Sequence, residues 1–138
     1  MFGAYNLRAA IGFTPSMNDN ILVIEDNPDN RKLVTWILED EGYHVTCSET
    51  AELGLEALQA GNFQAILMDI SLPGMDGTEA TRRIRQMQQF QNLPIIALTA
   101  HAIKGETDSI LACGVDDLIT KPVDEEQLLA RLSQLIQH

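Results

Sequence analysis

The feature that most constrains the fold is a repeated alternation between short apolar runs and longer amphipathic segments. Three of the runs, at residues 21–24, 65–68 and 95–98, consist almost entirely of aliphatic side chains. They are too short for helices and are typical of strands buried on both faces. Weaker runs at 45–47 and 118–120 predict two further strands.

The segments between and after these runs carry apolar residues at helical spacing. Asn27 and Pro28 are suited to the N-cap and first position of the first helix, and Gly42 to its end. Further helices are predicted over residues 51–60, 78–87, 106–113 and 125–136. Strands that alternate with helices predict a flavodoxin-like, doubly wound α/β fold. Its five-stranded parallel sheet has the order 2-1-3-4-5, with helices on both faces.

The length of 138 residues fits one domain. Residues 19–138 are predicted to form it, and the last helix runs to the C-terminus, so we expect no output domain after it. Residues 1–18 are interpreted as an N-terminal extension that is flexible or results from an upstream start site. The alternative interpretation is a short docking arm with several apolar side chains: Phe2, Tyr5, Leu7, Ile11 and Phe13.

Composition excludes several classes of function. With 9 Lys and Arg against 20 Asp and Glu, the net charge is −11, which disfavours binding to nucleic acid or to anionic membranes. No run approaches the ~20 apolar residues of a membrane span. Cys47 and Cys113 form no disulfide framework, and we expect two buried thiols in a reducing cytoplasm.

Polar side chains follow the predicted strands. Glu25 and Asp26 follow the first strand, and Asp69 follows the third. Thr99 and Lys121 follow the fourth and fifth. The carboxyl ends of parallel strands meet at one edge of the sheet, where α/β proteins bind ligands. We therefore expect these five residues to form one site.

The chemistry of this set favours phosphoryl transfer. Carboxylates that share a site repel each other, and Mg²⁺ relieves the repulsion through oxygen ligands. A lysine and a hydroxyl add donors for a phosphoryl group, and Asp69 is the natural nucleophile. Each residue taken alone has an ordinary interpretation, such as an acid at a helix N-terminus, a loop cap or a solvated charge. The combination favours function.

The sequence resembles the receiver domain of two-component response regulators over about residues 20–137. Four motifs carry the resemblance, at residues 21–27, 67–77, 97–100 and 120–122. The resemblance implies that Asp69 accepts a phosphoryl group from a phosphohistidine. It also implies that Asp26, Asp69 and the backbone carbonyl of Ser71 bind Mg²⁺, with Glu25 acting largely through a bound water.

The resemblance assigns further roles at the ends of the last two strands. Lys121 would pair with the phosphoryl oxygens, and Thr99 would move to bond one of them after transfer. The Lys121–Pro122 peptide bond would be cis. Leu118 departs from the family's pattern, which often has a rotating Tyr or Phe at this switch position.

We therefore expect a stand-alone receiver that acts as a phosphorylation switch. It would catalyse only its own phosphorylation and dephosphorylation, so it is not a metabolic enzyme. A histidine kinase or histidine phosphotransfer protein would supply the phosphoryl group, and a downstream effector protein would read the signal. Trp36, at the margin of the first helix's apolar arc, is either a core-edge aromatic or an anchor for that partner. Pro122 is the second candidate contact.

Three alternatives share parts of this pattern. A flavodoxin-type FMN protein would have a phosphate loop rich in Ser, Thr and Gly, whereas residues 25–29 are acidic. An aspartyl phosphatase would have a second Asp two residues after the nucleophile, where Ser71 stands. A receiver-like module that is never phosphorylated would usually lack Asp69, Lys121 or one of the acids.

Overall fold

The computed structural model describes residues 19–101 and 103–136. The predictions for residues 1–18 lie outside this part of the chain. The described residues contain five strands: β1 (Asn20–Ile24), β2 (His44–Ser48), β3 (Ala65–Asp69), β4 (Ile95–Thr99) and β5 (Asp117–Thr120). They also contain five α-helices: α1 (Pro28–Asp40), α2 (Ala51–Ala60), α3 (Gly77–Gln86), α4 (Lys104–Ala112) and α5 (Glu125–Leu135).

The strands form one parallel sheet in the order β2-β1-β3-β4-β5, which confirms the predicted topology. The register of the strand pairs aligns the carboxyl ends of β1, β3 and β4. Ile24 pairs with Met68, and Asp69 pairs with Leu98, the residue before Thr99. The residues that follow β1, β3 and β4 therefore meet at the same edge of the sheet.

The sheet is buried between two helical layers. One core cluster joins the sheet to α1 and α5, and the other joins it to α2, α3 and α4. All side chains of β3 and β4 are buried, as expected for central parallel strands. None of the helices in the described part of the chain has the length and apolarity needed to span a membrane.

The boundaries of α3, α4 and α5 differ from the predictions by one or two residues, whereas α2 has the predicted bounds. α3 begins at Gly77 because the Asp76 side chain caps it, accepting from the Glu79 amide at 2.9 Å. Gly77 is required for close packing, since an added Cβ would lie only 2.3 Å from the backbone oxygen of Asp69. α4 begins at Lys104, two residues before the predicted start.

One prediction about burial was wrong, and one of the two interpretations of Trp36 is excluded. Cys113 is buried as expected, but Cys47 is exposed because β2 is an edge strand. Trp36 is 60% exposed, so it is not a core-edge aromatic. Arg85 is partly buried, whereas Arg82 and Arg83 on the same helix are exposed. The Arg85 guanidinium bonds to backbone oxygens next to β4 and β5.

Candidate functional site

Three carboxylates converge at the carboxyl edge of the sheet. Oxygen atoms of Glu25, Asp26 and Asp69 all lie within 4.8 Å of one another. Glu25 and Asp69 are buried, whereas Asp26 is exposed to solvent. An all-oxygen cluster with one open side fits Mg²⁺, which prefers carboxylate ligands and keeps part of its hydration shell.

Lys121 supplies the positive charge of the site. Its Nζ lies 2.9 Å from Glu25 Oε1 and 3.3 Å from Asp69 Oδ1. Burial would lower the pKa of Lys121, but the two carboxylates outweigh burial and raise it. The ammonium group therefore stays charged and can stabilise negative charge that develops beside Asp69.

The Asp69 carboxylate is held in an unfavourable environment for its charge. Burial, followed by the neighbouring Glu25, raises the pKa of Asp69. A hydrogen bond from the Ser71 amide to Asp69 Oδ1, at 3.0 Å, and the charge of Lys121 act in the opposite direction. A divalent cation at this edge would relieve the remaining repulsion between the two acids.

Arg31 positions the acidic loop, a role that sequence reasoning missed. Its Nη1 donates to the backbone oxygens of Glu25 and Asp26, at 2.9 and 3.0 Å. Asn27 caps α1 as predicted, and its own amide donates to Glu25 Oε2 at 3.2 Å. The only sequence signal for Arg31 was its place one helical turn after the cap.

Thr99 lies at the end of β4, where it was predicted, and is 3% exposed. Its hydroxyl bonds to the backbone of His101, so this residue is held within its own loop. The Lys121 amide donates to the Thr99 carbonyl at 2.7 Å, which joins the ends of β4 and β5. Beside Thr99 and Ser71 is a cleft of about 500 Å³ that extends to Ile110 of α4.

The remaining predicted residues lie in different surroundings. The Lys121–Pro122 peptide bond is cis, as the resemblance implied. Leu118 packs against the core cluster of α2, α3 and α4. Pro122 is exposed after β5, whereas Trp36 lines a groove beside β2, the opposite edge strand. The sheet therefore separates the two predicted partner contacts.

Comparison with known proteins identifies relatives of this chain. The sensor protein GacS of Pseudomonas syringae pv. syringae is 45% identical over 88% of this chain. The kinase BarA of Escherichia coli is 39% identical over 78% of it. The chain spans only 14% and 12% of these proteins. A 14.6 kDa protein of Leptolyngbya boryana is 38% identical over 83% of this chain, which spans 88% of that protein.

Solved structures match the fold as well. The receiver domain of sensor histidine kinase PA1611 from Pseudomonas aeruginosa has a magnesium ion in its active-site cleft. It superposes with a TM-score of 0.80 at 36% identity, covering 86% of this chain and 97% of that one. Chemotaxis protein CheY4 of Vibrio cholerae superposes with a TM-score of 0.81 at 27% identity. The match covers 86% of this chain and 98% of the CheY4 chain. The sequence model of the response regulator receiver domain family matches residues 21–133, so the chain belongs to that family.

Proposed function

We propose that Asp69 is the phosphoacceptor of a two-component signalling system that uses Mg²⁺. The observation that carries this proposal is the single cluster formed by Asp69, Glu25, Asp26 and the Lys121 ammonium. A carboxylate oxygen of Asp69 attacks the phosphorus of a phosphohistidine. The P–N bond breaks, its electron pair returns to the imidazole, and an acyl phosphate forms on Asp69.

The metal would be held by Asp26, Asp69 and the backbone carbonyl of Ser71, with Glu25 acting through a bound water. When bound, Mg²⁺ supplies positive charge against the phosphoryl oxygens. Lys121 contributes a second positive charge on the buried side of the site, where its contacts to Glu25 and Asp69 already orient the ammonium.

The phosphorylated chain would act as a switch. Phosphorylation adds about −1.5 to −2 charges and three strong acceptors beside Thr99. The Thr99 hydroxyl would then donate to a phosphoryl oxygen, which removes it from the His101 carbonyl. Leu118 offers no aromatic ring to follow this movement, so the change passes through the backbone of His101. Hydrolysis of the acyl phosphate on Asp69 would reset the switch, an activity confined to the chain's own modification.

The proposed phosphoryl donor is a histidine kinase or a histidine phosphotransfer protein, and an effector protein would recognise the phosphorylated form. A stand-alone role, a cytoplasmic location and the absence of nucleic-acid binding stay predictions. Trp36 and Pro122 also stay predicted partner contacts. Both are exposed, but Pro122 lies at the Lys121 end of the site and Trp36 beside β2.

The test is the intact mass of the chain after incubation with acetyl phosphate and Mg²⁺. We expect one added phosphoryl group, lost with Asp69→Asn and with EDTA but kept with Asp76→Asn, an acid outside the cluster. Transfer from a phosphorylated histidine phosphotransfer protein should follow the same pattern. An adduct that persists in Asp69→Asn, or no adduct from either donor, would contradict the proposal.

A further inference from the structure

A groove of about 410 Å³ lies between α1 and β2, away from the phosphoacceptor cluster. Its lining includes Arg31, Lys32, Thr35, Trp36, Glu39 and Cys47. Trp36 is 60% exposed at this groove. A tryptophan with most of its surface in water is a typical anchor of a protein interface.

The adjoining sheet edge lacks the residues that usually protect such an edge. Within the described part of the chain, β2 pairs only with β1, so its outer edge has no strand partner. Proteins commonly protect such edges with charges or proline. The sequence of β2, His-Val-Thr-Cys-Ser, contains no Asp, Glu, Lys, Arg or Pro. Cys47 lies on this strand and contacts α1, its Sγ being 3.3 Å from Thr35 Oγ1.

Two exposed residues of opposite charge, Lys32 and Glu39, lie on either side of Trp36 along α1. The third charged residue of the lining, Arg31, bonds to the backbone oxygens of Glu25 and Asp26. Lys32 lies four residues before Trp36, and Glu39 lies three residues after it. At 1.5 Å per residue, these charges are about 6 Å and 4.5 Å from Trp36 along the axis of α1. Two copies of α1 that run antiparallel with their Trp36 residues adjacent would therefore bring Lys32 of each copy to Glu39 of the other.

We propose that this face binds a second copy of the chain, related by a two-fold axis that passes near Trp36 and Cys47. Each surface is complementary to itself, which is the requirement of an isologous dimer. The indole of each copy contacts the groove of the other, and two Lys32–Glu39 pairs flank it. The net charge of −11 per chain opposes association, so the dimer is weak and depends on concentration.

Dimerisation would also regulate access to Trp36. The same side chain is a predicted contact for the phosphoryl donor, and the dimer covers it. Small donors such as acetyl phosphate reach Asp69 from the sheet edge and need no contact with α1. The dimer therefore slows transfer from a protein donor without slowing transfer from acetyl phosphate.

Sedimentation velocity of the full chain from micromolar to millimolar concentration tests the proposal. We expect a monomer–dimer equilibrium whose dissociation constant rises about tenfold or more in Trp36→Ala. Leu53→Ala, which removes a half-exposed apolar side chain from α2, is the matched control and should leave the constant unchanged. A chain that stays monomeric throughout this range overturns the proposal.

A charge exchange tests the two-fold arrangement itself. Lys32→Glu and Glu39→Lys should each weaken the dimer about five- to tenfold, because each places like charges together twice. The double variant exchanges the two charges and should restore the original constant. Lys104→Glu, on α4, changes the net charge by the same amount as Lys32→Glu and is the control. If the double variant dimerises no more tightly than the single variants, the proposed two-fold arrangement is wrong.

The reactivity of Cys47 separates other occupants of the groove. In the dimer, alkylation of Cys47 should slow as the protein concentration rises. A monomer whose Cys47 is protected at every concentration would assign the groove to another segment of the chain. A monomer in which Trp36→Ala slows only transfer from a phosphohistidine protein would assign the groove to the phosphoryl donor. Either result overturns the dimer proposal.

Discussion

Thr99 and His101 exchange two hydrogen bonds through one hydroxyl group. Thr99 Oγ1 donates to the carbonyl of His101 at 3.1 Å and accepts from its amide at 3.2 Å. A hydroxyl has a single proton, so it cannot donate to His101 and to a phosphoryl group at once. If Thr99 donates to a phosphoryl group on Asp69, as we propose, phosphorylation would release the His101 carbonyl from this bond.

Replacing Thr99 tests this link. We expect Thr99→Ala to speed hydrogen exchange at the His101 amide, because the amide loses its acceptor. Phosphorylation should do the same in the unchanged chain, because Thr99 would move away from His101 to bond the phosphoryl group. In Thr99→Ala, phosphorylation should then cause no further change in hydrogen exchange at the His101 amide. Thr99→Ser keeps the hydroxyl and should behave as the unchanged chain. The link would be wrong if phosphorylated Thr99→Ala still changed at His101 or in the first turn of α4.

Mg²⁺ should stabilise the folded chain because its proposed ligands come together only on folding. At a hundredfold excess over its dissociation constant, the ion adds about 2.7 kcal/mol to the free energy of unfolding. Asp26→Asn removes an exposed ligand and should abolish most of this gain, measured by thermal unfolding with and without Mg²⁺. Asp29→Asn, an exposed acid in the first turn of α1, should retain it. Equal losses in both variants would indicate nonspecific screening.

Arg85 should contribute far more to stability than its neighbour Arg82. Arg85 Nη2 also lies 3.0 Å from Asp116 Oδ2, which accepts from the Ile95 amide at 2.8 Å. Arg85 also donates to three backbone carbonyls, those of Gly114, Phe90 and Leu93. Arg85→Ala should lower the free energy of unfolding in urea by about 2–3 kcal/mol. Arg82→Ala, on the exposed face of α3, should change it by less than about 0.5 kcal/mol.

Asp76 should make the stability of α3 depend on pH. Its carboxylate accepts from the Glu79 amide and the Thr78 hydroxyl, bonds that lower its pKa below 3.8. The stabilisation is therefore complete above pH 3.8. It is lost as the pH falls through the lower pKa that Asp76 has in the folded chain. Asp76→Ala should cost about 1 kcal/mol at neutral pH, and this difference should shrink in acid. Asp76→Asn keeps an N-cap without the titration, so its stability relative to the unchanged chain should rise as the pH falls.

Most of the site could be predicted from the sequence because it depends on strand order alone. The aliphatic runs predicted β1, β3 and β4, and parallel pairing places the residues after them at one edge. Glu25, Asp26, Asp69 and Lys121 were therefore brought together as expected. The cis bond before Pro122 was predicted only through the family resemblance.

The sequence by itself determined the alternation of strands and helices, because the period of apolar residues records which faces an element buries. Only the tertiary structure decided how exposed Cys47 and Trp36 are, since exposure depends on what covers an element from outside it. β2 lies at the sheet edge, and the outer face of α1 has no element packed on it in the described part of the chain. The contacts of Arg31 and Arg85 also arise only on folding, because a long charged side chain can reach backbone groups that local periodicity does not encode.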